Sequence, residues 1–296
     1  MMGDYADLKN VRDTFSEASD LLGEDMWSMA QQGPAELLNL TTNTQPLMLV
    51  AGVAVFRAWI AAGGREPDLL AGHSLGEYSA LVAAEAMQFA DAVPLVRFRA
   101  QCMQEAVPPG TGAMAAVLGL DDDGVRAACE QASNTTELAE AANFNAPGQV
   151  VVAGHKLAVE RAVEAAKARG AKRAMLLPMS APSHCMLMKP ASERLMGALD
   201  KLTIQMPKVP VIHNETVATA HDVGELRKAL VRQLYRPVRW AETITSLNQS
   251  GVTHIVECGP GKVLAGLNRR IGTDAQTIAL VDTKSLNEAV SALKGG

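Results

Sequence analysis

The stretch Leu70-Ala71-Gly72-His73-Ser74-Leu75-Gly76-Glu77-Tyr78-Ser79-Ala80 decides how the rest of the chain is read. It holds a Gly72-x-Ser74-x-Gly76 pattern, preceded by the mostly apolar Pro67-Asp68-Leu69-Leu70 and followed by a helix-forming run from Tyr78 to Ala86. Strand, sharp turn and helix in that order place the central residue in strained backbone geometry, with the two glycines letting strand and helix approach without clashing Cβ atoms. Ser74 then projects from the turn as a candidate nucleophile. At the start of the following helix the backbone N–H of Leu75 is placed to stabilise an oxyanion. A glycine-flanked pentapeptide also occurs in ordinary turns, and it is the strand and helix on either side that favour the nucleophile.

At 296 residues the chain can bury a sizeable core, as one large domain or one domain carrying a smaller insertion. Its 48% hydrophobic and 20% charged residues exclude a largely disordered chain. A net charge of -5 argues against a nucleic-acid surface, which needs clustered Lys and Arg. The N-terminus is polar and acidic, with no basic stretch leading into an apolar one, so no signal peptide is read. The apolar stretch from Pro46 to Ala62 is broken by Arg57 and is too short and mixed to span a bilayer. A cytoplasmic protein without a membrane segment is expected. Cys102, Cys129, Cys185 and Cys258 are dispersed, so neither a zinc site nor a disulfide framework is suggested, and they read as small buried hydrophobes. The six histidines show no metal-binding spacing, and no metal is expected.

Periodicity predicts helices over Asp4–Leu22 and Gln45–Ala62, the second started by Asn43-Thr44 with Pro46 in its first turn. Two helices therefore precede the strand that leads to Ser74. A further helix over Gln88–Glu105 is ended by Val107-Pro108-Pro109-Gly110. Between that boundary and Pro178 the order reads β-α-β-β-α-β, with strands at 112–118, 138–143, 149–153 and 173–177 and helices at 121–131 and 155–169. This order matches a ferredoxin-like unit, assigned to residues 108–178. Residues 1–107 and 179–296 form the large unit, where alternating strands and helices imply a mostly parallel, helix-covered sheet. The fold class is α/β.

A serine hydroxyl needs a base, and histidine suits that work near neutral pH. His155 reads as a surface or cap residue at a strand-to-helix turn. His213 and His254 lie in apolar strand runs and read as core residues, and His221 sits in a polar stretch. His184, in Ser180-Ala181-Pro182-Ser183-His184-Cys185, lies on the loop re-entering the large unit, where catalytic groups concentrate. His184 is the candidate base, with a structural role left open by context alone. No acidic residue follows the Ser-acid-His order of α/β-hydrolases, so something other than a carboxylate is expected to orient it.

These residues, with Arg97-Phe98-Arg99, Met103-Gln104, Asn143-Phe144-Asn145-Ala146-Pro147-Gly148-Gln149, Gln233-Leu234-Tyr235 and Glu257-Cys258-Gly259-Pro260-Gly261-Lys262-Val263-Leu264, resemble the malonyl-CoA:acyl carrier protein transacylases of bacterial fatty-acid synthesis. The resemblance covers nearly the whole chain. It implies an α/β-hydrolase-like large domain with the small subdomain inserted, and transfer of malonyl from coenzyme A to acyl carrier protein. By position it makes Ser74 the acylated residue and His184 the base, held by the backbone carbonyl of Gln233. Arg99 pairs with the malonyl carboxylate, for which a planar guanidinium is a matching two-pronged donor; without the resemblance Arg99 reads as a helix-surface charge. His73 and Asn145 are implied near the substrate, although Asn145-Ala146-Pro147-Gly148 is also simply a good turn. No resident cofactor is implied, and a monomer is expected.

The family begins with a short strand and a Gly-Gln-Gly-Ser-Gln loop, whose first glutamine supplies a second oxyanion N–H. This sequence starts at Met1-Met2-Gly3-Asp4-Tyr5, which corresponds to the region just after that loop. The resemblance implies that the physiological protein carries the segment. Two rival functions use the same residues: a serine hydrolase of thioesters, and an inactive scaffold that docks a carrier.

Overall fold

The computed structural model describes residues 2–178 and 181–293. Met179 and Ser180, at the expected junction of the two units, lie outside the described residues. After a 3₁₀ turn at Gly3–Tyr5 come α1 (Lys9–Leu22), α2 (Met26–Gln32), α3 (Ala35–Leu38) and α4 (Thr41–Ala61). Four helices thus precede the Ser74 strand where periodicity suggests two. α2 and α3 are too short to register as a period; what marks α2 is Asp25, whose side chain accepts the Ser28 N–H at 2.9 Å. α4 begins four residues before Gln45, so Pro46 lies inside the helix and not in its first turn. Burial of Asn43, Gln45, Pro46 and Leu47 against the core outweighs the one ladder bond that proline removes. α4 is long and apolar enough to cross a membrane, and 67% of its most apolar window is buried inside the fold. It is the central core helix of the large unit, flanked by α1, by α5 (Gly76–Ala83) and by α6 (Phe89–Glu105).

β1 (Leu70–Ala71) precedes α5, and α6 leads into a four-stranded sheet with two helices. There β2 (Gly112–Leu118), α7 (Asp122–Ala132), β3 (Ala139–Ala146), β4 (Gln149–His155), α8 (Lys156–Ala168) and β5 (Arg173–Leu176) keep the expected β-α-β-β-α-β order. The four strands pair antiparallel in the order β3-β4-β2-β5. Their inward residues, Val117, Phe144, Val150 and Val152, share a core with Val125 and Ala128 of α7 and Val159 and Ala162 of α8. β3 runs further than the sequence pattern suggests because two register shifts against β4 carry it on to Ala146. Asn145 therefore belongs to the strand, and the turn is Pro147-Gly148, where Gly148 has a φ of 68° that proline-glycine turns require.

The chain returns through α9 (Lys189–Leu199), β6 (Val211–Ile212), α10 (Val223–Gln233) and α11 (Trp240–Gln249). It ends with β7 (His254–Cys258), α12 (Val263–Ile271), β8 (Gln276–Leu280) and α13 (Thr283–Leu293). Pairing here is parallel, β1 with β6 and β7 with β8, as two separate two-stranded sheets among the described residues in place of the single broad sheet expected. β1 is short because the chain leaves the ladder at Gly72 to enter the Ser74 turn. β6 stops where His213 and Asn214 turn to hydrogen-bond beneath that turn. β3 is tied to the segment between α10 and α11: the Phe144 N–H donates to the Val238 carbonyl at 2.8 Å and the Val238 N–H to the Ala142 carbonyl at 2.9 Å. That seam carries Asn145 toward the Ser74 turn.

Candidate active site

Ser74 has a φ of 50°, the strained conformation expected at the point of a strand-to-helix turn. The two flanking glycines are not equivalent. A Cβ on Gly72 would lie 2.0 Å from the backbone carbon and oxygen of Gly76, whereas a Cβ on Gly76 meets nothing within 4 Å. Only Gly72 is demanded by the close approach. The turn is clamped from below: the Ser74 N–H donates to Asn214 Oδ1 at 2.6 Å, Asn214 Nδ2 donates to the Gly72 carbonyl at 2.6 Å, and Gln233 Nε2 donates to the Ser74 carbonyl at 3.0 Å. The N–H groups of Gly76 and Glu77 are taken by the carbonyls of His73 and Ser74. Among the described residues the Leu75 N–H has no backbone partner, which leaves it as the donor available to an oxyanion.

His184 also holds a left-handed backbone, φ 63°, with its N–H donated to the Leu234 carbonyl at 2.9 Å. Its Nδ1–H donates to the backbone carbonyl of Gln233 at 2.7 Å, so Nε2 is the bare nitrogen, and the Ser74 hydroxyl donates to it at 2.8 Å. Gln233 is the last residue of α10, where carbonyls lack an intrahelical partner. The His184 ring is thus held by a carbonyl at a helix C-terminus and not by a carboxylate. Burial, and after it the Arg99 charge, push the His184 pKa down to about 3, so the ring is neutral at pH 7 and able to accept a proton.

Arg99 lies on α6 and is 1% exposed, not a surface charge. The outward cation of that segment is Arg97, which holds both oxygens of Glu24. Arg99 Nη1 donates to Gln45 Oε1 at 2.5 Å, and Nη2 donates to Gln233 Oε1 at 2.9 Å and points at Ser74 Oγ at 3.4 Å. Its Nε has no partner, and none of the ion pairs among the described residues includes it. Burial lowers its pKa from the ordinary arginine value. Among the described residues no carboxylate lies within ion-pair distance of this desolvated guanidinium, which stands beside the Ser74 hydroxyl.

Residues 10–285 match the acyl transferase domain family. The chain belongs to that family. It is 53% identical over 281 residues to the malonyl CoA-acyl carrier protein transacylase of Salmonella typhimurium, covering 95% of this chain and 91% of that protein. With the transacylase of Bacillus subtilis it shares 43% over 290 residues, 98% of this chain and 91% of the relative. The structure of the malonyl CoA-acyl carrier protein transacylase from Coxiella burnetii superposes with a TM-score of 0.97 at 45% identity, covering 99% of this chain and 93% of that one. A malonyl-transacylase solved in complex with a type II PKS acyl-carrier protein superposes with a TM-score of 0.96 at 48% identity, covering 99% and 94%.

The acyl transferase also brings His73 and Asn145 together: His73 Nε2–H donates to Asn145 Oδ1 at 2.8 Å across the seam between the units. The His73 ring lies 5.7 Å from that of Trp240, and burial holds it below the ordinary histidine pKa. Of the remaining histidines, His213 is buried and its Nδ1–H donates to Glu77 Oε1 at 2.7 Å. His254, expected in the core, is exposed at the start of β7, because a two-stranded sheet leaves its first residue open to solvent. His155 accepts the Leu138 N–H at 3.0 Å and fastens the small unit.

Four contributions to the acyl transferase site escape sequence reading: Gln45, Glu77, Asn214 and the side chain of Gln233. Glu77 stood inside the quoted motif, an acid opening an apolar helix, and that mismatch was a usable signal. Asn214 follows His213 at the C-terminal end of a parallel strand, where sites gather in α/β folds. Gln45 carried no signal, being one polar residue at the start of a long apolar helix. No group of His, Cys, Asp or Glu able to hold a metal ion occurs among the described residues.

Proposed function

We propose that this acyl transferase moves malonyl from coenzyme A to the phosphopantetheine thiol of an acyl carrier protein, supplying fatty-acid elongation, by way of an ester on Ser74. The observation that carries the reading is the meeting of two systems on one hydroxyl: a neutral base 2.8 Å away and an unpaired buried guanidinium 3.4 Å away. The first serves acyl transfer to any acceptor. The second selects an acyl group that ends in a carboxylate.

In the first half-reaction His184 Nε2 takes the Ser74 proton as Oγ attacks the thioester carbonyl carbon, and the Leu75 N–H faces the developing oxyanion. The tetrahedral intermediate collapses by breaking the carbon–sulfur bond, and the proton on Nε2 goes to the departing coenzyme A sulfur. The malonyl ester then sits on Ser74 with its free carboxylate against Arg99, which also offsets the charge that disfavours protonated His184. The second half-reaction runs the same steps in reverse with the carrier thiol as nucleophile, giving ping-pong kinetics. An acetyl group leaves Arg99 buried and unpaired, so the same geometry discriminates against it. His73 and Asn145, hydrogen-bonded to each other beside Ser74, form part of the acyl-binding wall.

We read the fold behind this chemistry as an α/β-hydrolase-like unit, residues 1–107 and 179–296, with a ferredoxin-like unit inserted at 108–178. Support comes from the strand–Ser74–helix turn and from the β3-β4-β2-β5 order with two helices against one face. The function is tested by following malonyl-CoA consumption with and without acyl carrier protein. A transferase produces malonyl-carrier and turns over only slowly without the carrier. Rapid carrier-independent release of malonate would instead identify a hydrolase.

A further inference from the structure

Glu77 is fully buried, sits in the first turn of α5 and takes no part in the steps above. Its Oε1 accepts from His213 Nδ1, and its Oε2 accepts two N–H groups, from the Asn214 backbone at 3.0 Å and from Gln233 Nε2 at 2.8 Å. An oxygen that already accepts the Asn214 N–H can face only the NH₂ end of the Gln233 amide. The carbonyl end is thereby forced to the opposite side, where it accepts from Arg99 Nη2 at 2.9 Å. The same NH₂ also donates to the Ser74 carbonyl at 3.0 Å, so the amide turned over would set oxygen against both the Glu77 oxygen and that carbonyl and NH₂ against the guanidinium, with all three contacts repulsive.

We propose that Glu77 is a positioning residue for acyl selection: as the charged and nearer of the two acceptors of the Gln233 NH₂ it fixes the sense of that amide, and the amide aims Arg99 at the acyl group on Ser74. The proposal rests on Arg99 being the malonyl carboxylate receptor. Gln233 thus serves the site from both its backbone and its side chain. Its backbone carbonyl sets His184 whatever the amide does, so a fault in the amide should reach the selection of malonyl before it reaches the base. A purely structural Glu77, favourable as an anion at a helix N-terminus and as a tie to β6, would instead affect every acyl group alike.

Two conservative variants give opposite predictions under these views. Glu77→Gln loses the charge yet keeps an oxygen in the Oε2 position, with its own NH₂ toward His213, whose ring then carries its proton on Nε2 and accepts at Nδ1. Glu77→Asp keeps the charge and withdraws the acceptor by one methylene. The readout is the ratio of Ser74 acylation rates with malonyl-CoA and acetyl-CoA, measured on variants that melt cooperatively. We expect Glu77→Gln to hold the wild-type ratio and Glu77→Asp to lower it about tenfold or more through the malonyl rate, the scale of one lost charge-assisted hydrogen bond. Should Glu77→Asp not fold, Gln233→Met, which keeps the carbonyl on His184, is expected to lower the ratio as far. A ratio kept in Glu77→Asp or in Gln233→Met, a ratio lost in Glu77→Gln, or equal losses for both acyl groups overturns the proposal. An Arg99→Ala control separates the two levels: if it keeps the wild-type ratio, the reading of Arg99 fails and takes the proposal with it.

Discussion

His184 and Arg99 crowd one hydroxyl, and until a substrate arrives each makes the other's charge more costly. Burial and the Arg99 charge put the His184 pKa at about 3, below the ordinary histidine value of 6.5. The working form is the neutral ring, so lowering pH removes it only on approaching the depressed value. The rate constant for Ser74 acylation by malonyl-CoA should accordingly stay flat from about pH 8 down to about pH 6, where an ordinary histidine would already give a roughly fourfold fall. Rapid-quench measurement of acyl-enzyme formation checks this, and a fourfold fall over that range would show His184 to be an ordinary, solvated base. At this scale the sequence was legible where a residue's own chemistry marks it. Ser74 and His184 stand out as candidates, and the structure sets them 2.8 Å apart, whereas the depth of Arg99 depends on Gln45, Gln233 and Tyr78 gathering around it from three other segments, which no local pattern encodes.

The turn between β1 and α5 holds its shape because one backbone crosses another at Gly72. A methyl group there would stand 2.0 Å from the Gly76 backbone, which cannot give way as a flexible side chain can. Gly72→Ala should therefore destabilise the fold by about 3 kcal/mol or more and abolish acylation, while Gly76→Ala, facing open space, should cost about 1 kcal/mol or less. Thermal melts of the two variants compare them directly, and equal effects would mean that the turn is set by something other than this approach. The elements from β2 to β5 could be read from sequence to within about three residues, β3 being the one extended by its register shifts. α4 could not: its start owes more to burial of Asn43 and Gln45 than to any capping side chain, and Pro46 suggests a boundary that packing overrides. The short α2, α3, β1 and β6 owe their lengths to tertiary contacts in the same way.

Across the whole molecule, the site is a meeting place. α4 brings Gln45, the β1–α5 turn brings Ser74, α6 brings Arg99, the return loop brings His184, the end of α10 brings Gln233, and β3 of the inserted unit brings Asn145. The alternation of elements along the sequence carried the mixed α/β class that the structure shows. The division of the parallel strands into two separate pairs could not be read, because periodicity reports that a strand exists and not which strand it pairs with. What joins these parts into one account is a malonyl ester on Ser74. The most direct test is the intact mass of the folded protein after brief mixing with malonyl-CoA, beside a Ser74→Ala control. The account predicts one malonyl adduct on the unaltered chain, none on the variant, and loss of the adduct when acyl carrier protein is added. An adduct that persists in Ser74→Ala, or no adduct on the folded unaltered chain, would contradict it.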